Sequence, residues 1–182
     1  MQPDVFCPTS ENIAGWLEHT HKKAEEAGLP FFFEEIGKSR EGRALYGAVV
    51  GEGPLHVSIT AGAHSDEPAG PLAACALIRH ILDTGKSEGM PAESTWYVCP
   101  HVNPDGAARN AEWFTDPPDI EVYAQHHHRE PPGEDVEFNY PDPDRKDREA
   151  RPENRAVAKF LEQGAPYSLH ASPHGMAYAE GA

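Results

Sequence analysis

Residues 55–84 read LHVSITAGAHSDEPAGPLAACALIRHILDT, and this stretch decides the fold. LHVSITAGA is apolar enough for a central strand buried on both faces, with its regular part at Leu55–Ala61. A short polar turn carries His64 and Glu67. From Pro68 to Thr84 the residues Leu72, Cys75, Ala76, Ile78, Arg79 and Leu82 are spaced for one packed side of a helix. Strand, polar turn and helix in that order make an α/β unit.

The flanks repeat the alternation. Residues 10–28 predict an amphipathic helix, capped by Ser10, with Ile13, Trp16, Leu17 and Ala24 near one face and Gly28-Leu29-Pro30 as the stop. Phe31–Ile36 and Ala44–Val50 read as strands separated by the turn residues Gly37 through Gly42. Thr95–Val102 is a second buried strand, ended by Asn103-Pro104-Asp105-Gly106. Residues 152–163 open with proline at a helix start, and Ala165–Leu169 reads as a short strand. The expected fold class is α/β, a mixed, mostly parallel sheet flanked by helices, in one domain spanning 1–182. Residues 115–152 differ: they hold seven of the 18 prolines, are acidic, and show no clear periodicity. They read as a long loop.

Composition narrows the function. Of 182 residues, 15 are Lys or Arg and 30 are Asp or Glu, a formal charge of −15. That balance argues against nucleic acid and anionic membrane surfaces as partners, since both need a basic footprint. No apolar run is long enough to span a bilayer, and MQPDVFCPTSEN lacks the basic and apolar regions of a signal peptide. Cys7, Cys75 and Cys99 are few and odd in number, which points to a reduced, cytoplasmic compartment. The chain is rich in histidine, with 11.

Chemistry is expected where strands end, because ligands bind at the carboxyl edge of open α/β sheets. His64 and Glu67 can aim an imidazole and a carboxylate at one ion. Asn103–Gly106 opens on the same edge, and His170 ends another short apolar stretch 106 residues after His64. Two histidines and a carboxylate, His64, Glu67 and His170, are the ligand set of a hydrolytic zinc site with an open position. His174 is an alternative ligand, and His126-His127-His128 reads as a solvated loop able to scavenge metal.

These motifs resemble the zinc carboxypeptidases of the carboxypeptidase A and B type. GKSREGRAL at 37–45 is similar to the family's entry hairpin, His64-Ser65-Asp66-Glu67 to its H-x-x-E zinc motif, Asn103–Gly106 to its N-P-D-G motif, and Leu169-His170 to the strand with its third ligand. The resemblance implies a mixed eight-stranded sheet, one Zn2+ per chain, and hydrolysis of a peptide or amide bond by metal-activated water. It implies Asn139 as a substrate-binding residue and Arg109 as a catalytic, carbonyl-polarising group. It also implies a general-base glutamate well beyond the third ligand. Glu180 is the sole carboxylate after His170, so the base is expected past Ala182 and the chain reads as an N-terminal portion.

Two positions depart from the family pattern. No Arg follows Asn139, where Arg145, Arg148 or Arg151 would have to substitute, and Asp66 stands where the digestive enzymes carry Arg. Both changes predict a preference for a cationic substrate group. The competing readings are a zinc deacylase of the aspartoacylase or succinylglutamate-desuccinylase kind, acting on an N-acyl amino acid, and a non-catalytic zinc-binding remnant.

Overall fold

The computed structural model describes residues 7–84, 93–114, 119–131, 133–134, 136–138, 140–142, 144 and 149–175. Helix α1 (Ser10–Ala27) is capped by Thr9, whose hydroxyl accepts from the Asn12 amide at 3.3 Å. Ser10, the cap expected from sequence, lies inside the helix instead and donates to the Ala44 carbonyl at 2.7 Å. Gly28 takes the left-handed conformation (φ 63°) that ends a helix without a Cβ clash.

Strands β1 (Phe31–Lys38) and β2 (Ala44–Val50) form an antiparallel hairpin with a register shift between Glu35 and Gly37. After β3 (Leu55–Thr60) come α2 (Ala69–Asp83), β4 (Ser94–Cys99) and α3 (Pro104–Asn110). Helices α4 (Ile120–His126) and α5 (Pro152–Leu161) and the short β5 (Leu169–Ala171) follow. The described strands stand in the order β1-β2-β4-β3-β5. β1–β2 and β2–β4 are antiparallel, whereas β3–β4 and β3–β5 are parallel. The sheet is therefore mixed, with parallel pairings confined to the β4-β3-β5 half.

Side-chain parity places the helices. In β2, Ala48 and Val50 join Ile13, Leu17, Ile78 and Ile81 of α1 and α2, while Leu45 joins Val157 and Phe160 of α5. Successive strand residues point to opposite faces, so α1 and α2 cover one face and α5 the other. β5 begins four residues later than expected: a 3₁₀ turn at Glu162–Gly164 extends α5, and residues 165–168 run in neither helix nor strand before Leu169. The segment read as featureless contains α4, capped by Asp119, whose carboxylate accepts from the Glu121 and Val122 amides. None of its residues is buried, so it has no apolar stripe for a periodicity search to find. No helix among the described residues is long and apolar enough to cross a membrane.

One consequence matters for function. β3, β4 and β5 run in the same direction, so the segments leaving their carboxyl ends emerge on one edge. Those segments carry His64 and Glu67, Asn103–Gly106, and residues 172–175.

Candidate metal centre

Just past the end of β3, the chain turns toward α2 through Ala61–Pro68. Within that turn the His64 Nδ1 lies 2.9 Å from Glu67 Oε1. A third group arrives from beyond β5: His174 Nδ1 is 3.2 Å from His64 Nδ1 and 3.5 Å from Glu67 Oε2. A tetrahedral zinc with ~2.0–2.1 Å bonds needs donor atoms about 3.3 Å apart. The two imidazole nitrogens, 3.2 Å apart, match that value, and the carboxylate faces one with each oxygen, at 2.9 and 3.5 Å.

The far sides of both rings meet one carboxylate. Glu137 Oε2 is 3.0 Å from His64 Nε2, and its Oε1 is 3.5 Å from His174 Nε2. Atoms of His64, Glu137 and His174 also lie close enough to one another to hold an ion. Glu137 nevertheless fits an orienting role better. With the His64 Nε2–H donated to Glu137 and the His174 Nε2–H to Ser172 Oγ, 3.1 Å away, both Nδ1 atoms present lone pairs toward each other and toward Glu67. Such a set of converging acceptors fits a divalent cation, and a carboxylate behind each ligating imidazole is the usual second layer of a zinc site.

Residues 127–130 brace the same turn. Arg129 Nη1 donates to Asp66 Oδ1 at 2.6 Å and to Glu67 Oε1 at 2.9 Å, while His127 Nε2 is 2.9 Å from Asp66 Oδ2. The His128 carbonyl accepts from Ser65 Oγ and Asn110 Nδ2, and Glu130 accepts from Asn103 Nδ2. Partial burial pushes the Asp66 and Glu67 carboxyls up. Hydrogen bonds outweigh it, from His127 and Arg129 on Asp66 and from Arg129 and the Gly175 amide on Glu67, and hold both below the ordinary carboxylate range. Asp66 is thus paired, and the expectation that it offers a free anion to a cationic substrate loses its basis.

His170 is not part of this cluster. The β3–β5 register pairs it with Ser58, well before the turn that carries His64, and its Nδ1 lies 2.7 Å from Ser58 Oγ. The histidine that stands beside His64 and Glu67 is His174, four residues on. Arg109, the expected carbonyl-polarising residue, is instead tied to Glu41 of the β1–β2 turn and lies 3.3 Å from His128 Nε2. Asn139, Arg145, Arg148 and Glu180 lie outside the described residues. Arg151, the residue just before α5, donates to the Glu134 carbonyl. The three adjacent histidines face three partners, Glu112, Asp66 and Arg109, rather than a common point.

The N-P-D-G turn is architectural. Asn103 Oδ1 accepts from the Gly106 amide, Pro104 starts α3, and a Cβ on Gly106 would stand 2.4 Å from the Cβ of Ser65. Asp105 takes three hydrogen bonds from the entry hairpin: Ser39 Oγ at 2.6 Å, Arg43 Nη1 at 2.8 Å and the Glu41 amide at 3.1 Å. The two motifs occur together because one docks on the other.

His101, just after β4, is buried and accepts from the Asn103 amide at 3.1 Å through Nδ1. Desolvation pushes its pKa down to about 4, against a partial rise from Glu130. An unfolded histidine takes its proton near ~6.5, whereas the folded one resists until about 4. The stabilisation is complete above the unfolded value and is lost as pH falls through that window, at ~1.4 kcal/mol per unit. Urea unfolding at pH 7, 6 and 5 is expected to show this fall, with a flatter profile for His101→Gln. An equal slope in the variant would refute the assignment.

The comparisons with known proteins follow the same lines. The sequence profile of a family described as zinc carboxypeptidase matches residues 22–179. Zinc carboxypeptidase A 1 of Drosophila melanogaster is 36% identical over 83 residues, covering 40% of this chain and 19% of that protein. Among solved structures, carboxypeptidase A from Helicoverpa armigera aligns with a TM-score of 0.67 at 18% identity, over 93% of this chain and 46% of that one. Bovine thrombin-activatable fibrinolysis inhibitor, in complex with tick carboxypeptidase inhibitor, aligns at 0.66 and 18% identity over 92% of this chain and 60% of that one. The structural likenesses establish the fold. The chain spans about a fifth of the length of the Drosophila relative and 60% or less of these two structures.

Proposed function

Because the chain belongs to the zinc carboxypeptidase family, we propose that it acts as a zinc-dependent, metallocarboxypeptidase-like hydrolase. The observation that carries this reading is the triangle of His64 Nδ1, the Glu67 carboxylate and His174 Nδ1, in which the two imidazoles are 3.2 Å apart and each faces one oxygen of the carboxylate, at 2.9 and 3.5 Å. In that role His64, Glu67 and His174 hold the metal. Glu137 receives the Nε2–H of His64 and Ser172 Oγ that of His174, fixing the tautomer and orientation of both rings, and the carboxylate raises the basicity of His64. Zinc, when bound, would polarise the scissile carbonyl and lower the pKa of a water toward ~7. Glu67 stays ionised because Arg129 and the Gly175 amide hydrogen-bond its carboxylate, which keeps it competent as a ligand. The turn between β3 and α2 is braced from behind by Asn103, which donates to the Ala63 carbonyl.

A substrate panel tests the activity. Peptides with a free C-terminus, the same peptides amidated at that end, and N-acyl amino acids are offered to the zinc-loaded protein. Cleavage of the free peptides alone, removed by a chelator and restored by zinc, is the expected result. Cleavage confined to the N-acyl amino acids would instead favour a deacylase, and no zinc-dependent cleavage would overturn the hydrolase reading.

A further inference from the structure

The zinc motif has two central residues, Ser65 and Asp66, that do not touch the triangle, and the structure gives both a use. Ser65 Oγ donates to the His128 carbonyl at 2.8 Å. Asp66, with 15% of its side chain exposed, takes Arg129 at 2.6 Å and His127 at 2.9 Å. Asn110 adds both halves of its amide to the His128 backbone, accepting from its N–H and donating to its carbonyl. The segment 127–130 is thereby laid along the motif, and Arg129 reaches past Asp66 to Glu67 with the same Nη1.

We propose that Arg129, anchored by Asp66, is a positioning residue for the metal ligand Glu67. The Glu67 carboxylate is held at both oxygens, by Arg129 at Oε1 and by the Gly175 amide at Oε2, 2.8 Å away. Gly175 follows His174, so Oε2 is tied to the third ligand's own backbone. Oε1 depends on Arg129, apart from His64 itself. A carboxylate fixed at each end keeps its plane and its free lone pairs aimed at the triangle; released at one end it rotates about its terminal bond. Held ligands lose less freedom when the ion arrives, which is why outer partners of a zinc site change affinity.

Electrostatics predicts the opposite sign. A cation beside the site repels a divalent ion, so removing Arg129 would tighten binding if its field were what mattered. That field is already offset by Asp66, which forms a 2.6 Å ion pair with it. Positioning and field effects can therefore be separated by direction alone.

The inference rests on the proposed zinc site, and the experiment keeps the two apart. Zinc affinity of the full chain is measured by competition with a chromogenic chelator for wild type, His64→Ala, Arg129→Ala, Arg129→Lys and Asp66→Asn. Thermal unfolding of the metal-free proteins checks that each folds; the Arg129 side chain is 37% exposed, so its truncation leaves no buried void. Arg129→Ala is expected to weaken zinc ~10–100-fold, the span typical of second-layer losses, with Asp66→Asn shifting the same way. Arg129→Lys is expected to recover most of the loss, because one nitrogen makes both contacts. Unchanged or tighter binding in Arg129→Ala, or no rescue by lysine, would overturn the inference. Zinc retained by His64→Ala would instead overturn the metal centre on which it rests.

Discussion

His174→Ala is expected to leave the protein without stoichiometric zinc after dialysis, while His170→Ala keeps it. His174 supplies one of three donor atoms, and its Nδ1 sits 3.2 Å from His64 Nδ1. Loss of a ligand should exceed the ~10–100-fold change that follows loss of a mere outer partner. His170 is half a strand away in register, and its Nδ1 is engaged by the buried hydroxyl of Ser58. Elemental analysis of both variants after gel filtration decides the matter. Zinc lost from His170→Ala and kept by His174→Ala would return the third position to His170.

Asp105→Ala is expected to destabilise the fold by about 3 kcal/mol, near the low end of the ~3–5 kcal/mol seen when a buried ion pair loses one partner. Asp105 is 4% exposed and all three of its partners are donors. Its removal strands the buried Ser39 hydroxyl and leaves Arg43 paired only with Glu41. The estimate sits low because the Arg43 side chain is 30% exposed, so water recovers part of the loss. Asp105→Asn is expected to fall in between, since an amide NH₂ must then face a donor. Urea denaturation midpoints at constant slope give both values. A loss below ~1 kcal/mol for the alanine variant would show that the entry hairpin does not depend on this carboxylate.

Sequence reading goes far where the interaction is local. β1, β2 and β3 and the helices over 10–28, 68–84 and 152–163 follow from apolar spacing within one element, and the structure places elements over each of them. His64 and Glu67 belong to the same class. Three residues apart in one turn, they can meet without help from the rest of the chain, and they do, at 2.9 Å. Local signals mislead only where two readings cost nearly the same. Thr9 rather than Ser10 caps α1 because both hydroxyls suit a cap, and Ser10 finds a partner in Ala44 that no local pattern announces.

The remaining site residues are non-local. His174 meets His64 across 110 positions, Glu137 meets it across 73, and Arg129 meets Glu67 across 62. The choice between His170 and His174 turns on how a three-residue strand registers against β3, and a strand that short has too little pattern to set its own register. Arg129 stands in a polar stretch whose helix α4 buries nothing, so its sequence context marks it as solvated surface. The sequence alone thus determined the α/β layering and the His64–Glu67 pair, because the forces that set them act within one turn or one element. The third ligand, the carboxylate beside both histidines and the arginine on Glu67 were decided by tertiary structure, because only packing of the chain as a whole brings those distant segments to one edge.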